Sequence, residues 1–253
     1  MPVQPGAEPY RHDGGSVGVL LCHGLTGSPR ALRPWAEHLA RAGYSVSLPR
    51  LPGHGTTWQE MTLTRWEDWY AEVDRAFREL RGCCERVVVA GLSMGGTLAL
   101  LLAQRRGRDV TGLVLVNPSV MSLDKRLKLV PLLRYAIPSL PAIGGDIKKP
   151  GPSEGAYDRT PLKALYSLTK LWVVARRGLP RVRQPVLIFR SREDHVVEPA
   201  NTDVIVAGIS SAEVEVRDLD DSYHVAVLDN DAPAIFAGSV EFLRRHAGDK
   251  APR

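Results

Sequence analysis

With 253 residues, 44% of them hydrophobic and 24% charged, the chain has the size and balance of one globular α/β domain carrying an insertion, not of a disordered or fibrous protein. Its formal charge of +5 comes from Arg and Lys scattered among acidic residues, with no basic block interleaved with aromatics, so nucleic acid is not an expected partner. The 3 cysteines are too few for a disulfide framework and lack metal-ligand spacing, and no apolar run approaches ~18 residues, so a reduced, soluble, cytoplasmic protein without stable membrane insertion is expected.

Residues 1–15, rich in Pro and Gly, predict an irregular arm. Val17–Cys22 is an apolar run of strand length that ends in His23-Gly24-Leu25-Thr26-Gly27. Ser28-Pro29 then supplies an N-cap and a proline at the first helical position. Leu32, Trp35, Ala36 and Leu39 follow at helical spacing as far as Gly43. Residues 44–48 predict a second strand, and residues 49–55 a loop containing Gly53-His54-Gly55. Thr64-Arg65-Trp66-Glu67 reads as a capping box for a helix whose Trp66, Trp69, Tyr70, Val73 and Phe77 belong in the core and not around a ligand. Cys22 is expected as a buried thiol. The vicinal pair Cys83 and Cys84 is expected in a connecting turn, a redox site being the alternative.

Residues 87–100 organise the rest. A β-favouring apolar run enters Gly91-Leu92-Ser93-Met94-Gly95, and a strong helix former follows at once. Strand, sharp turn and helix in that order lift the Ser93 hydroxyl above the sheet, at a helix N-terminus that favours negative charge. The alternative is a structural turn with an incidental serine.

Residues 110–116 form a further buried strand, and strands alternating with helices of this length imply a parallel sheet covered on both faces. From 118 to 183 the alternation stops. Residues 121–133 look helical until Pro131, Pro138 and Pro141, and Thr160-Pro161 caps a second helix with Leu165, Leu168, Trp172 and Ala175 on one face. Its density of Leu, Ile, Val and Trp makes this insertion a cap packed over the rest and not a solvated linker. The domain reading is a single domain whose core comprises residues 14–117 and 184–247, with 118–183 as the cap. The sheet resumes at 185–189 and again at 212–219. Pro199 opens one helix, Asp231 and Pro233 another, and residues 247–253 are expected to fray.

Ligands of such a sheet sit beyond the carboxyl ends of its strands. Ser93, Asp194 and His224 all fall at strand ends. A serine needs a base within hydrogen-bond reach, and a histidine serves if a carboxylate fixes its tautomer. For the base, His23 and His54 occupy sheet-end loops and compete with His224. His12, His38 and His246 lie in the arm or on helices, and His195 is not expected to be catalytic. For the acid, Asp218, Asp220 and Asp221 crowd His224 and compete with Asp194, which follows a strongly apolar strand. The backbone N–H of Met94 and that of Leu25 are placed to receive an oxyanion.

The segments at 23–27, 48–56, 91–97, 193–197 and 222–226 together resemble the bacterial carboxylesterase and monoacylglycerol lipase group of the α/β-hydrolase family, in register from about Gly14 to Ala247. The resemblance implies an α/β-hydrolase fold: a mostly parallel sheet with helices on both faces and a small inserted cap. It also implies Ser93, Asp194 and His224 as nucleophile, acid and base, and Leu25 and Met94 as oxyanion donors. Ile143 and Glu154, within cap stretches that look like those of the bacterial monoacylglycerol lipases, are implied as substrate-binding. The short N-terminus departs from larger members and leaves no room for a full first hairpin, and residues 121–141 match least well. The function expected is a cofactor-independent and metal-independent serine hydrolase of small or single-chain acyl esters, most concretely monoacylglycerols. An acyltransferase or thioesterase using the same triad, or a non-catalytic binding protein of the same fold, is the alternative.

Overall fold

The computed structural model of the chain describes residues 2–142 and 144–248. The strands are β1 (Tyr10–His12), β2 (Val17–Cys22), β3 (Ser45–Leu48), β4 (Arg86–Leu92) and β5 (Gly112–Val116). After them come a separate antiparallel ribbon of β6 (Ser139–Pro141) and β7 (Arg159–Pro161), then β8 (Val186–Ser191) and β9 (Val214–Leu219). The main sheet has seven strands in the order β1-β3-β2-β4-β5-β8-β9. Every neighbouring pair in it is parallel except β1 with β3. Residues 10–12 are therefore not part of an irregular arm. They pair with β3 at the sheet edge, Tyr10 opposite Leu48.

Period-2 alternation distributes the strand side chains between two cores. Leu20, Cys22, Val87, Val89, Leu113, Leu115 and Ile188 face one side. There they meet α3 (Trp66–Cys83), α4 (Met94–Arg106), α6 (Leu162–Gly178) and Ile205 of α7 (Ala200–Gly208). Val19, Leu21, Val88, Ala90, Val114, Val116 and Leu187 face the other, under α1 (Pro29–Arg41) and α8 (Ala232–Ala247). Both faces being covered is why these strands read as continuous apolar runs. Burial pushes the Cys22 thiol up to about 12, so it stays a neutral core group.

Helix ends follow local chemistry. Ser28 Oγ accepts from Arg30 N at 3.4 Å at the start of α1. At α3 the reciprocal partner is Asp68, whose carboxylate accepts from Arg65 N at 2.8 Å, one residue beyond the Glu67 of the expected box. Thr64 instead accepts from Trp69 Nε1 at 3.0 Å and pins that indole. Cys83 ends α3 and Cys84 follows it, their sulfurs 3.8 Å apart. Ala247 is buried within α8, so fraying does not begin at 247, while residues 249–253 lie outside the described residues.

Between β5 and β8 the chain leaves the sheet. α6 buries Leu168, Trp172 and Ala175 of the predicted face, while Leu165 is only half-buried and Leu171 joins the buried side. The stretch before it differs from expectation: residues 125–129 form a 3-10 turn and α5 (Val130–Leu133) is a single turn. Its large apolar side chains Leu123, Leu129, Leu132, Tyr135 and Leu140 are exposed. Among the described residues no helix is long and apolar enough to cross a membrane.

Register brings the strand ends to one level. Cys22 lies beside Gly91, Leu92 beside Val116, Val116 beside Phe189, and Ser191 beside Leu219. The segments that follow β2, β4, β8 and β9 therefore emerge from the same edge.

Candidate active site

Ser93 joins β4 to α4 with φ 56° and ψ −119°, a left-handed conformation that costs energy for any residue with a side chain. The surroundings hold it there. Ser93 N donates to Val116 O at 3.0 Å, and Ser93 O accepts from Gly96 N at 2.9 Å. The flanking glycines are steric requirements. A Cβ on Gly91 would lie 2.4 Å from the Gly95 carbonyl carbon, and one on Gly95 would lie 1.9 Å from Cys22 O. The half-buried Ser93 thus stands at the N-terminus of a helix whose first N–H groups lack intrahelical acceptors, Met94 N–H among them.

The loop after β2 lies against this turn. A Cβ on Gly24 would come 3.6 Å from Ser93 Cβ. Leu25 follows, half-buried, and Thr26 takes φ 59°. His23 is not beside the triad as a base: its Nδ1–H donates to Gly24 O at 3.0 Å while Nε2 accepts from Leu51 N at 3.2 Å. Burial, followed by the nearby His54, holds its pKa well below the ordinary histidine value. His54 is also fully enclosed, edge-on to Trp69 at 5.4 Å, and burial lowers its pKa to about 4. Both rings are neutral scaffolding.

His224 and Asp194 meet from separate strand ends. His224 Nδ1–H donates to Asp194 Oδ2 at 2.8 Å, and the two side chains are only 9% and 2% exposed. Asp194 Oδ1 accepts from Val196 N and Val197 N, each at 2.8 Å, which orients the carboxylate. With Nδ1 carrying the proton, Nε2 is the free acceptor of a neutral ring. Burial pulls the His224 pKa down, but the charge and hydrogen bond of Asp194, with Glu154 and Asp146 adding, leave it raised. The competing acids are engaged elsewhere. Asp218 pairs with Arg190 at 2.8 Å, Asp220 with Arg192 at 2.8 Å, and Asp221 with Lys148 at 3.2 Å. His195 is 54% exposed, and its ring turns to Asp146.

Glu154 is half-buried above the same loop. Its Oε1 accepts from Gly145 N at 2.7 Å, and a Cβ on Gly27 would lie 3.7 Å from its Oε2. Tyr157, three residues on, donates N–H to Thr26 O at 3.1 Å and its hydroxyl to Gly53 O at 2.9 Å, which fixes this stretch to the sheet-end loops. Ile143 lies outside the described residues.

Sequence reasoning missed two residues that hold the base loop. Asn117, at φ 43° just beyond β5, donates Nδ2–H to His224 O at 2.8 Å and to Ser191 Oγ at 3.0 Å. Ser191 Oγ in turn donates to Tyr223 O at 2.8 Å. The available signal was a polar residue ending each of two apolar strands. The arrangement offers a half-buried serine on a strained turn, an imidazole with a fixed tautomer, and backbone donors at a helix N-terminus, the equipment of acyl transfer through a serine.

Comparisons with known proteins agree with this chemistry. A family model described as the alpha/beta hydrolase family matches residues 19–238. The chain is 46% identical over 250 residues to a thermostable monoacylglycerol lipase of Bacillus sp. (strain H-257), covering 98% of each chain. It is 24% identical to a carboxylesterase of Bacillus subtilis (strain 168), covering 94% of this chain and 96% of that one. A solved structure belonging to LipS and LipT, two metagenome-derived lipolytic enzymes, superposes with a TM-score of 0.94 at 44% identity, covering 97% of this chain and 100% of that one.

Proposed function

The chain belongs to the alpha/beta hydrolase family, and on that premise we propose that it is a serine carboxylic-ester hydrolase working through an acyl-enzyme, with monoacylglycerols as its substrate class. One observation carries the reading: the buried pair of His224 and Asp194, joined at 2.8 Å at the strand ends that also present Ser93. The 46% identity to a protein named a monoacylglycerol lipase supports the substrate class.

Ser93 Oγ attacks the ester carbonyl carbon while its proton passes to His224 Nε2. Asp194 stabilises the imidazolium, and the oxyanion rests on the N–H groups of Leu25 and Met94. Collapse breaks the acyl–oxygen bond, and His224 returns the proton to the departing alcohol. A water, deprotonated by the same imidazole, then releases the fatty acid from Ser93. Residues 118–183 act as a cap that shelters the acyl chain.

A monoacylglycerol carries two hydroxyls beside its ester, and recognising them needs a polar group in an apolar pocket. Glu154 takes that role, supported by its place beside Gly27 and its influence on His224. With three cysteines, too few for a disulfide framework, the protein suits a reducing compartment, and the cytoplasm is its place of action in this reading.

The test is a hydrolysis panel of monoacylglycerols and p-nitrophenyl esters of graded chain length, run with the protein and with Ser93→Ala. Turnover of monoacylglycerols that vanishes in a folded Ser93→Ala supports the proposal. Near-unchanged activity in that variant overturns the nucleophile, and hydrolysis of p-nitrophenyl esters alone overturns the substrate class.

A further inference from the structure

Asp146 lies between β6 and β7, far in sequence from the residues it touches. Its Oδ2 accepts from His224 N at 3.1 Å and from His195 N at 3.3 Å, while Oδ1 accepts from His195 Nδ1 at 2.8 Å. Its main-chain carbonyl accepts from Val225 N at 3.0 Å. One carboxylate therefore bridges the loop after β8, which carries Asp194, and the loop after β9, which carries His224. The Asp146 side chain is 12% exposed, with its bond to His224 N partly buried and those to His195 open to solvent.

The strap continues for three residues and is stitched down again. Asp229 Oδ2 accepts from Lys148 N at 2.7 Å and Tyr223 N at 2.9 Å, and Oδ1 accepts from Lys149 N at 2.8 Å and Asn230 N at 2.9 Å. Burial disfavours this carboxylate, but the four backbone N–H groups hold its pKa below the usual range. The side chains of Asp146 and Asp229 thus pin residues 146–149 across the His224 loop.

We propose that Asp146 is a positioning residue of the reaction, clamping the acid-bearing and base-bearing loops to each other from the insertion. This rests on His224 serving as the general base. The charged groups acting on the His224 ring are Asp194, Glu154 and Asp146, all anionic, so losing one makes the ring easier to deprotonate. The clamp has a second anchor in Asn117, which holds His224 O, so the loop stays folded but shifts when Asp146 is removed. Displacement of a catalytic group by about 1 Å costs about 100-fold in rate.

Steady-state kinetics on p-nitrophenyl butyrate test this with Asp146→Ala and Asp146→Asn, and with Ser93→Ala in parallel. Asp146→Ala is expected to lose about 10- to 100-fold in kcat with KM little changed. The acidic limb of its kcat/KM profile should move to lower pH. Asp146→Asn keeps a carbonyl acceptor for His224 N–H, so it should recover most of kcat while its acidic limb moves in the same direction. Active-site titration with a fluorophosphonate reports the correctly folded fraction. A kcat loss fully accounted for by that fraction, with an unmoved acidic limb, overturns the proposal in favour of simple scaffolding. Parental kinetics in both Asp146 variants overturn it outright. If Ser93→Ala is inactive in that case, the hydrolase reading stands and only this inference falls; activity in Ser93→Ala overturns the hydrolase reading itself.

Discussion

At the scale of single residues, the Asp194 carboxylate accepts from His224 Nδ1–H, and in the proposed mechanism it fixes the tautomer and its charge favours the imidazolium of the transition state. Asp194→Asn removes both and is expected to lower kcat about 10⁴-fold, measured on p-nitrophenyl butyrate. Asp221→Asn, which only loosens a surface pair with Lys148, is expected to stay within about 3-fold; a large loss there would move the acid. Only neutral His224 can accept the Ser93 proton, and its pKa is raised. The acidic limb of kcat/KM should therefore have its midpoint above the ordinary histidine value of about 6.5. A profile flat into the acid range, with the fold intact, would remove His224 as the base. Glu154 bears on substrate choice. A hydrogen bond from a substrate hydroxyl to a carboxylate contributes about 1.5–3 kcal/mol, or about one to two decades in kcat/KM. Glu154→Ala should lose that much on monoacylglycerol and little on p-nitrophenyl esters; equal effects on both substrates would deny it the role.

At the scale of elements, the crossing of β4 and α4 places Ser93, the proposed nucleophile, and close backbone approach makes the crossing possible. Gly95→Ala would push a methyl to 1.9 Å from Cys22 O, on β2, where neither partner is a flexible side chain. A loss of at least about 3 kcal/mol in urea unfolding is expected, with activity falling as the turn distorts. Gly82 is the contrast. It lies within α3, is exposed, and a Cβ there meets nothing within 4 Å. Gly82→Ala should therefore stabilise by about 0.5–1 kcal/mol, the helix-propensity difference, with unchanged kinetics. Equal unfolding curves for the two variants would show that α4 can slide away from β2 at little cost.

For the whole molecule, the buried neutral histidines couple folding to pH. His54 titrates at about 4 in the folded protein, and His23 lies well below its ordinary value. Unfolded imidazoles bind protons below about 6.5, so between about 6.5 and 4 the unfolded state holds more protons and stability falls as pH falls. From pH 7 to 4.5 the His54 contribution alone is about 2–3 kcal/mol. His224, whose folded pKa is raised, runs the other way: its contribution is full at low pH and is lost as pH rises through its folded pKa. The buried pair is expected to dominate. Urea unfolding of the parent and of His54→Leu at the two pH values checks this, since the variant should lose less stability on acidification. Equal losses would mean that His54 is protonated without cost in the folded state.

How far the sequence alone reaches depends on whether the determining contacts are local. The strand, turn and helix around Ser93 are legible because a continuous apolar run, two glycines and a helix former act within fourteen residues. The same holds for α1 and α6, whose apolar spacing matches the faces they bury. A local reading prefers Asp194 to Asp218, Asp220 and Asp221 only because it follows a strongly apolar strand, since all four lie near strand ends. The parallel register that sets Ser191 beside Leu219 brings Asp194 to His224, while Asp218 and Asp220 meet arginines. The edge strand β1 was likewise hidden in a Pro/Gly-rich arm, since three residues become a strand only by pairing with β3. Composition misled over residues 121–140, where leucines counted as buried stand at the surface: burial depends on what the rest of the chain brings alongside. Asn117 and Asp229 carry no motif, and Asp146 lies in a cap stretch whose resemblance points to Ile143 and not to a role for its carboxylate. Each holds the base loop through hydrogen bonds to backbone groups distant in sequence, and only the folded chain brings those groups within reach of one carboxylate or amide.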